Sequence, residues 1–375
     1  MKRLGRNSQQ AESGRKTTIF QFVTAVSYGD AITNHCLAIR DALQSWGYCS
    51  EIYAQHVDPR LAREARSLHE WTLPRGAPVR AIFHYSIGSQ VTVFVRGLVD
   101  VRLILIYHNI TPARYFVGVN PPLVELLKKG RADLSSFAPR TILALGASEY
   151  NRLELAEAGF SNTGVLPIMI DFDQYDRVSS SRRLARFRQD GWTNLLSVGR
   201  IAPNKRQEDV IKTFYYYKRI NPRSRLFLVG SFEGTERYYT WLRRLVDELE
   251  LSDVYFTGLV DFDTLVNYYR LAHVYVSMSE HEGFGVPLVE SMHFDVPVLA
   301  YAATAVPYTL ADSGVLVREK SFPVVAEAVH LLASNGAFRE QVVRRQRQRL
   351  ADFSIERTTS LLKGYVESAF GLGIA

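Results

Sequence analysis

The sequence predicts an α/β protein made of two doubly wound parallel sheets facing a central cleft. Three observations carry this expectation. Strand-sized apolar runs alternate with amphipathic helical segments along most of the chain. The alternation comes as two series, separated by a polar, Arg-rich stretch over 177–190. The 375 residues suffice for two domains that each bury a sizeable core.

The first series opens with Thr17–Val26, rich in β-branched and aromatic residues as a strand requires. Ser27-Tyr28-Gly29-Asp30 follows, then an amphipathic helix from Ala31 to Trp46 that Gly47 stops. Strand, glycine turn and helix begin a βαβ unit, which puts Gly29 and Asp30 at the carboxyl edge of the sheet, where backbone can meet a ligand. Further strands are expected at Glu51–Ala54, Ala81–His84, Val101–Tyr107, Thr141–Leu145 and Gly164–Leu166. Between Pro59 and Pro78 lie Arg60, Arg63, Arg66 and Arg75, whose early spacing reads as a solvated helix face or as an acceptor or membrane patch. His108 and Asn109 stand just past the end of Val101–Tyr107, in the crevice where open sheets bind ligands, and His84 sits likewise one strand earlier. Ser148 is placed to cap the helix that begins at Glu149.

The second series has strands at Asn194–Val198, Leu226–Val229, Val254–Thr257, His273–Met278, Val296–Tyr301 and Val315–Val317. Its first turn, Ser-Val-Gly-Arg-Ile-Ala-Pro-Asn-Lys over 197–205, places Arg200 after Gly199 and Lys205 just before a helix. A guanidinium fork and an ammonium point charge suit two adjacent phosphates. Two exposed basic residues in a loop would have the same spacing. The densest stretch is Ser277–Tyr301: strand, glycine loop, short helix, strand. Gly283 and Gly285 carry no Cβ and admit a ligand close to the main chain. Pro287 suits a first helical position. The amides around Gly285–Leu288 would form an anion seat at that helix start. Glu282 and Glu290 flank it, and carboxylates beside an anion make sense as acceptors from sugar hydroxyls. The bland alternative makes Glu290 a helix-dipole partner and Glu282 a solvated loop residue.

Glu282, seven residues and Glu290, with Gly-Phe-Gly-Val-Pro between them, resembles the signature of glycosyltransferase family 4, the retaining GT-B enzymes. Gly199, Arg200 and Lys205 resemble the family's diphosphate clamp, and His108 its active-site histidine. Tyr-His-Asn-Ile-Thr-Pro over 107–112 is similar to bacterial cell-surface polysaccharide transferases. The resemblance is strongest over 195–300 and moderate over 101–170. It departs at Tyr28-Gly29-Asp30, where many members carry two glycines, and at Tyr308, where many have Glu.

The resemblance implies a GT-B fold with an acceptor domain at 17–176, a linker at 177–190 and a nucleotide-sugar domain at 191–352. The last segment, 353–375, would be a helix crossing back onto the first domain. It further implies that Glu282 contacts the transferred sugar, that the amides of Gly283, Phe284, Gly285 and Val286 contact sugar and phosphate, and that Glu290 holds the ribose. Gly230 and Leu259 would flank the nucleotide base, and Gly29, Asp30 and Asn109 would face the acceptor. The expected reaction is hexose transfer, mannose first and a UDP-sugar next, from a nucleotide-diphospho sugar to a glycan or polyprenyl-diphosphate-linked acceptor; the alternative is a non-catalytic, transferase-like subunit that binds nucleotide sugar. No cofactor, metal or nucleic acid is expected.

Composition agrees with an ordinary globular chain: 47% hydrophobic and 22% charged residues. Residues 1–16 are polar without an apolar centre and read as a disordered tail. Cys36 and Cys49 have no metal-ligand spacing and suit a reducing cytoplasm. The net charge of +7 lies in the first half, with 24 Lys+Arg against 17 Asp+Glu over 1–190 and 21 against 21 beyond. That fits either a basic soluble domain or one that sits on the inner face of a membrane. Walker and dinucleotide glycine fingerprints are absent, which argues against those nucleotide enzymes. Asp171/Asp173 and Asp261/Asp263 remain as a rival, metal-holding reading.

Overall fold

The computed structural model describes residues 17–74 and 78–372. The expected tail 1–16 and Arg75 lie outside the described residues. Seven parallel strands form the first sheet: β1 (Thr18–Val26), β2 (Cys49–Val57), β3 (Arg66–Ser67), β4 (Val79–Tyr85), β5 (Val101–Tyr107), β6 (Thr141–Gly146) and β7 (Thr163–Val165). Their order is β3-β2-β1-β4-β5-β6-β7. Six more form the second: β8 (Thr193–Val198), β9 (Ser224–Val229), β10 (Val254–Gly258), β11 (Val274–Ser277), β12 (Val298–Tyr301) and β13 (Val315–Val317). Their order is β10-β9-β8-β11-β12-β13. Both sheets reverse direction at the first strand of their series, and such switch points are where parallel sheets open a ligand crevice at their carboxyl ends.

The central strands are largely apolar because helices cover both faces. Phe83, Tyr85, Leu105, Tyr107 and Phe137 fill one side of the first sheet, and Ile19, Ile39, Ile82, Ile104 and Leu145 the other. The last helix, Ile355–Phe370, sits on this second side. Its Leu362, Val366 and Phe370, spaced one turn apart, are fully buried among Ile19, Ile39 and Leu43. Each such side chain contributes about 1.5–3 kcal/mol. Arg102 of β5 donates to the Ala369 carbonyl at 2.7 Å, closing the helix end. Among the described residues, no helix is long and apolar enough to cross a membrane.

Two sequence expectations are corrected here. The Arg-rich segment does not form a helix beyond the short 3-10 turns Pro59–Leu61 and Leu68–Glu70; Arg66–Ser67 instead joins the sheet as an edge strand beside β2. Arg60 is held bidentately by Asp58 and lies over the Tyr28 ring, and Arg66 reaches Glu51 at 3.5 Å. The 177–190 stretch contains a helix, Arg182–Gln189, because Leu184 and Phe187 give an otherwise basic segment one apolar edge. That edge packs on the second sheet, where Phe187 meets Phe227 at 5.7 Å between ring centres.

Candidate active site

The site is built where the two sheets face each other. On the second domain, β8 runs into the turn that carries Gly199, Arg200 and Lys205. The turn is stitched to the loop after β11. Glu280 N–H donates to the Asn204 carbonyl at 2.9 Å, Asn204 Nδ2 to the His281 carbonyl at 3.2 Å, and Ser279 Oγ to the Asn204 carbonyl at 3.2 Å. An ion cluster locks the same seam. Lys320 bridges Asp209 (2.8 Å) and Glu280 (2.7 Å), and Arg206 reaches Glu208, Asp209 and Glu280 within 3.3 Å. Arg206 holds a left-handed backbone (φ 52°) to do so.

This seam brings Lys205 and Glu282 together. The Lys205 ammonium lies 2.7 and 2.6 Å from the two carboxylate oxygens. The pair stays accessible, with 27% and 13% of its side chains exposed, so a ligand entering the cleft can reach both charges. Glu282 N–H donates to Thr304 Oγ1 at 2.9 Å, and that hydroxyl returns a bond to the Glu282 carbonyl at 3.0 Å, which fixes the loop. Gly285 adopts φ 88°, a left-handed turn that turns the chain into the helix Val286–His293. The seat of free amides is narrower than the spacing suggests. Pro287 has no N–H, and Leu288 N–H is taken by the Gly285 carbonyl at 2.9 Å. Gly283, Phe284, Gly285 and Val286 remain as amides with no acceptor among the described residues. The Phe284 side chain is buried against Phe353, and its carbonyl accepts from Thr309 at 2.6 Å.

The first domain closes directly on this bend. A Cβ at Gly283 would stand 2.7 Å from the His108 carbonyl and 2.8 Å from Asn109 Cβ. Ser148 Oγ caps its helix by accepting from Asn151 N–H at 3.3 Å and donates to the Gly283 carbonyl at 2.8 Å. Two more bonds tie the rims: Asn120 to the Gly234 carbonyl at 2.8 Å and Arg237 to the Gly118 carbonyl at 3.2 Å.

His108 belongs to a buried imidazole cluster. Its Nε2 lies 3.0 Å from His84 Nδ1, the two rings stack, and His35 meets both edge-on. Burial holds His108 down to about 3 and keeps His35 and His84 well below the ordinary imidazole range. His281, next to Glu282, is also pushed down to about 3, first by burial and then by Arg131, Lys205 and Arg114. The sequence reading missed His35 and His281. His35 lies on the buried face of an amphipathic helix, which by itself reads as core, whereas His281 stands between Glu280 and Glu282 within the motif itself.

Several of the expected ligand residues make contacts within the chain. Glu290 is buried, and its two oxygens accept from Tyr175 (2.7 Å) and Tyr269 (2.5 Å). Burial raises its pKa. The carboxylate expected on the ribose is therefore engaged inside the second domain. Arg200 donates to the Glu233 carbonyl at 2.8 Å, towards the loop after β9, while Lys205 alone meets the glycine bend. The Gly199 and Gly230 amides donate to Val229 (2.9 Å) and Gly258 (3.1 Å), so these glycines serve the close approach of β8 and β9 and present no free amide. Asn109, with φ 75°, spends its amide hydrogens on Asn151 and Glu154, both at 2.8 Å, and so braces the loop, while its Oδ1 has no partner among the described residues. Asp30 caps its helix through Thr33 N–H at 2.9 Å. Gly29 (φ 75°) faces exposed Leu259 across the rim, 3.9 Å from a built Cβ. Asp171 and Asp261 each cap a helix, accepting from Asp173 N–H at 3.1 Å and Thr264 N–H at 2.7 Å. Among the described residues there is no cluster of three or more His, Cys, Asp or Glu of metal-holding geometry.

Residues 186–349 match the family model described as "Glycosyl transferases group 1". Over that segment, somewhat under half of its length, the chain is similar to the group 1 glycosyl transferases. The D-inositol 3-phosphate glycosyltransferase of Geodermatophilus obscurus is 28% identical over 302 residues, covering 76% of this chain and 66% of that protein. A GDP-mannose-dependent monoacylated alpha-(1-6)-phosphatidylinositol monomannoside mannosyltransferase of Corynebacterium glutamicum is 26% identical over 42% of each chain. The O-antigen chain mannosyltransferase B of Escherichia coli is 25% identical over 45% of each. The chain thus spans between two fifths and two thirds of the length of these curated relatives. The solved sucrose-phosphate synthase of Thermosynechococcus elongatus superimposes with a TM-score of 0.74 at 19% identity, over 96% of this chain and all of that one. HepE of Anabaena, solved with UDP-glucose, gives 0.72 at 15% identity over 94% and 99%. The two-sheet architecture is that of the GT-B glycosyltransferases.

Proposed function

We propose that the chain is a retaining glycosyltransferase that moves a hexose, mannose first among the candidates, from a nucleotide-diphospho sugar to a glycan or lipid-linked acceptor in polysaccharide assembly. One observation carries the reading: the Lys205–Glu282 pair lies at a bend of unpartnered amides, directly opposite His108 of the other domain. A cation and free N–H groups suit the diphosphate, while a carboxylate accepting from hydroxyls suits the sugar. In the transfer, the bond from sugar C1 to the diphosphate oxygen breaks and a bond from C1 to the acceptor oxygen forms. The acceptor proton leaves with the departing diphosphate. Negative charge grows on that diphosphate, where Lys205 and the Gly283–Val286 amides stand preorganised. Such donors are usually the largest catalytic contribution. No second carboxylate flanks the bend as a nucleophile, because Glu290 is engaged by two tyrosines. This favours a front-face route over a covalent one.

The names of the Corynebacterium and Escherichia relatives support a mannosyl donor. The basic first half supports an anionic, membrane-held acceptor at the inner membrane surface. The test is a panel of GDP- and UDP-hexoses assayed for donor hydrolysis, transfer and thermal stabilisation. GDP-mannose should be turned over with retention and should raise the melting temperature by mass action. Turnover of none of the panel, or inversion at C1, contradicts the proposal.

A further inference from the structure

Behind His108 a polar chain runs through the core of the first sheet. Ser50 of β2, Gln21 of β1 and His84 of β4 are buried on three adjacent strands; Ser50 stands opposite Ile19 and His84 opposite Val23, so the three form a diagonal on one face of the sheet. Gln21 Nε2 donates to Ser50 Oγ at 3.1 Å. The Gln21 carbonyl oxygen therefore faces His84 Nε2, at 2.9 Å, and can only accept. His84 must carry its proton on Nε2, which leaves its Nδ1 as an acceptor. His108 Nε2, 3.0 Å from that atom, must then be the donor. A neutral imidazole has one N–H, so His108 Nδ1 is left with a lone pair. That atom is buried and has no partner among the described residues. His35 offers no alternative, since it contributes only a ring edge and its own nitrogens are unpartnered.

We propose that Gln21 and His84 are positioning residues that hold His108 as the neutral Nε2–H tautomer, leaving Nδ1 to accept from a hydroxyl of the transferred sugar. The last step rests on the function proposed above; the tautomer does not. On this account His108 is neither a general acid nor a phosphate ligand. It reads the sugar as a hydroxyl donor.

The test is nitrogen-15 NMR of the intact chain with labelled histidines, the His108 signals being assigned by their loss in His108→Asn. Wild-type His108 should show a pyrrole-type Nε2 and a pyridine-type Nδ1, unchanged between pH 8 and 5. A protonated Nδ1, or titration in that range, overturns the proposal without any assay of activity. Gln21→Glu replaces the chain's anchor with a pure acceptor that stabilises doubly protonated His84, whose Nδ1–H would donate to His108 and reverse its tautomer. The reversed spectrum supports the relay, and an unchanged one overturns it. With the tautomer reversed, turnover should fall about tenfold at little change in donor KM, the scale of one hydrogen bond lost. A reversed tautomer with unaltered turnover overturns the sugar contact alone. A chain inactive from the outset, with the expected wild-type spectrum, counts against the proposed function and leaves the relay standing.

Discussion

The two walls of the cleft handle charge in opposite ways. The second-domain wall is ionic: Lys205 and Glu282 face each other with part of each side chain in solvent, backed by the Arg206–Asp209–Glu280–Lys320 cluster. The first-domain wall meets the bend with uncharged groups at His108, because burial keeps His108, His84 and His35 unprotonated. A wall that must hold a departing anion keeps its charges within reach of the cleft. A wall that must distinguish hydroxyls keeps uncharged donors and acceptors in fixed tautomers. The contrast teaches that the two domains contribute different chemistry to one site, and the seam at Gly283 is where the two meet.

The contrast can be broken most severely at that seam. Gly283→Ala places a methyl against the His108 carbonyl and Asn109, both under 3 Å, so the walls must separate. Turnover should fall about 100-fold, the scale of a one-ångström misplacement, while each domain stays folded by circular dichroism. Undiminished turnover would show that the walls do not cooperate.

A second break separates the two acids of the same motif. Glu290→Leu leaves the Tyr175 and Tyr269 hydroxyls buried without their acceptor, at about 1–3 kcal/mol each. Denaturation should show that loss, and adding Tyr175→Phe and Tyr269→Phe should recover most of it. Donor KM should change little. A tenfold rise in KM at unaltered stability would return Glu290 to the ribose.

The neutral wall also has a pH signature. His35, His84 and His108 have lowered folded-state pKa values, so the unfolded chain binds more protons as pH falls below about 6.5. Their stabilising contribution is complete above that value and is lost towards pH 4, at about 1.4 kcal/mol per pH unit for each proton. His35→Phe should flatten the slope of stability against pH by one proton's worth. An identical slope would mean that His35 is already charged or hydrated in the fold.

Much of this was legible in the chain. Strand periodicity and the glycine bend placed β11, the turn and the helix Val286–His293, since these depend on local rules. Lys205 and Glu282 could be named separately from their positions at strand ends, although their contact spans 77 residues. The fate of Glu290 was not legible. It depends on Tyr175, 115 residues away in a helix whose composition carries no functional signal. Asn109 looked like a ligand because it follows His108, but its left-handed backbone turns its amide towards Asn151. The helix at 182–189 was hidden by its arginines, because two apolar residues spaced one turn apart are too few to read as a face.

The central claim is that Lys205 and the glycine bend hold a nucleotide diphosphate. The most direct measurement is calorimetric titration of GDP and UDP into the intact chain and into Lys205→Met, with melting temperature as the folding control. The account predicts that at least one nucleotide binds the wild type, and that its affinity falls at least tenfold in a variant that remains folded. Equal affinity in the two chains would contradict it.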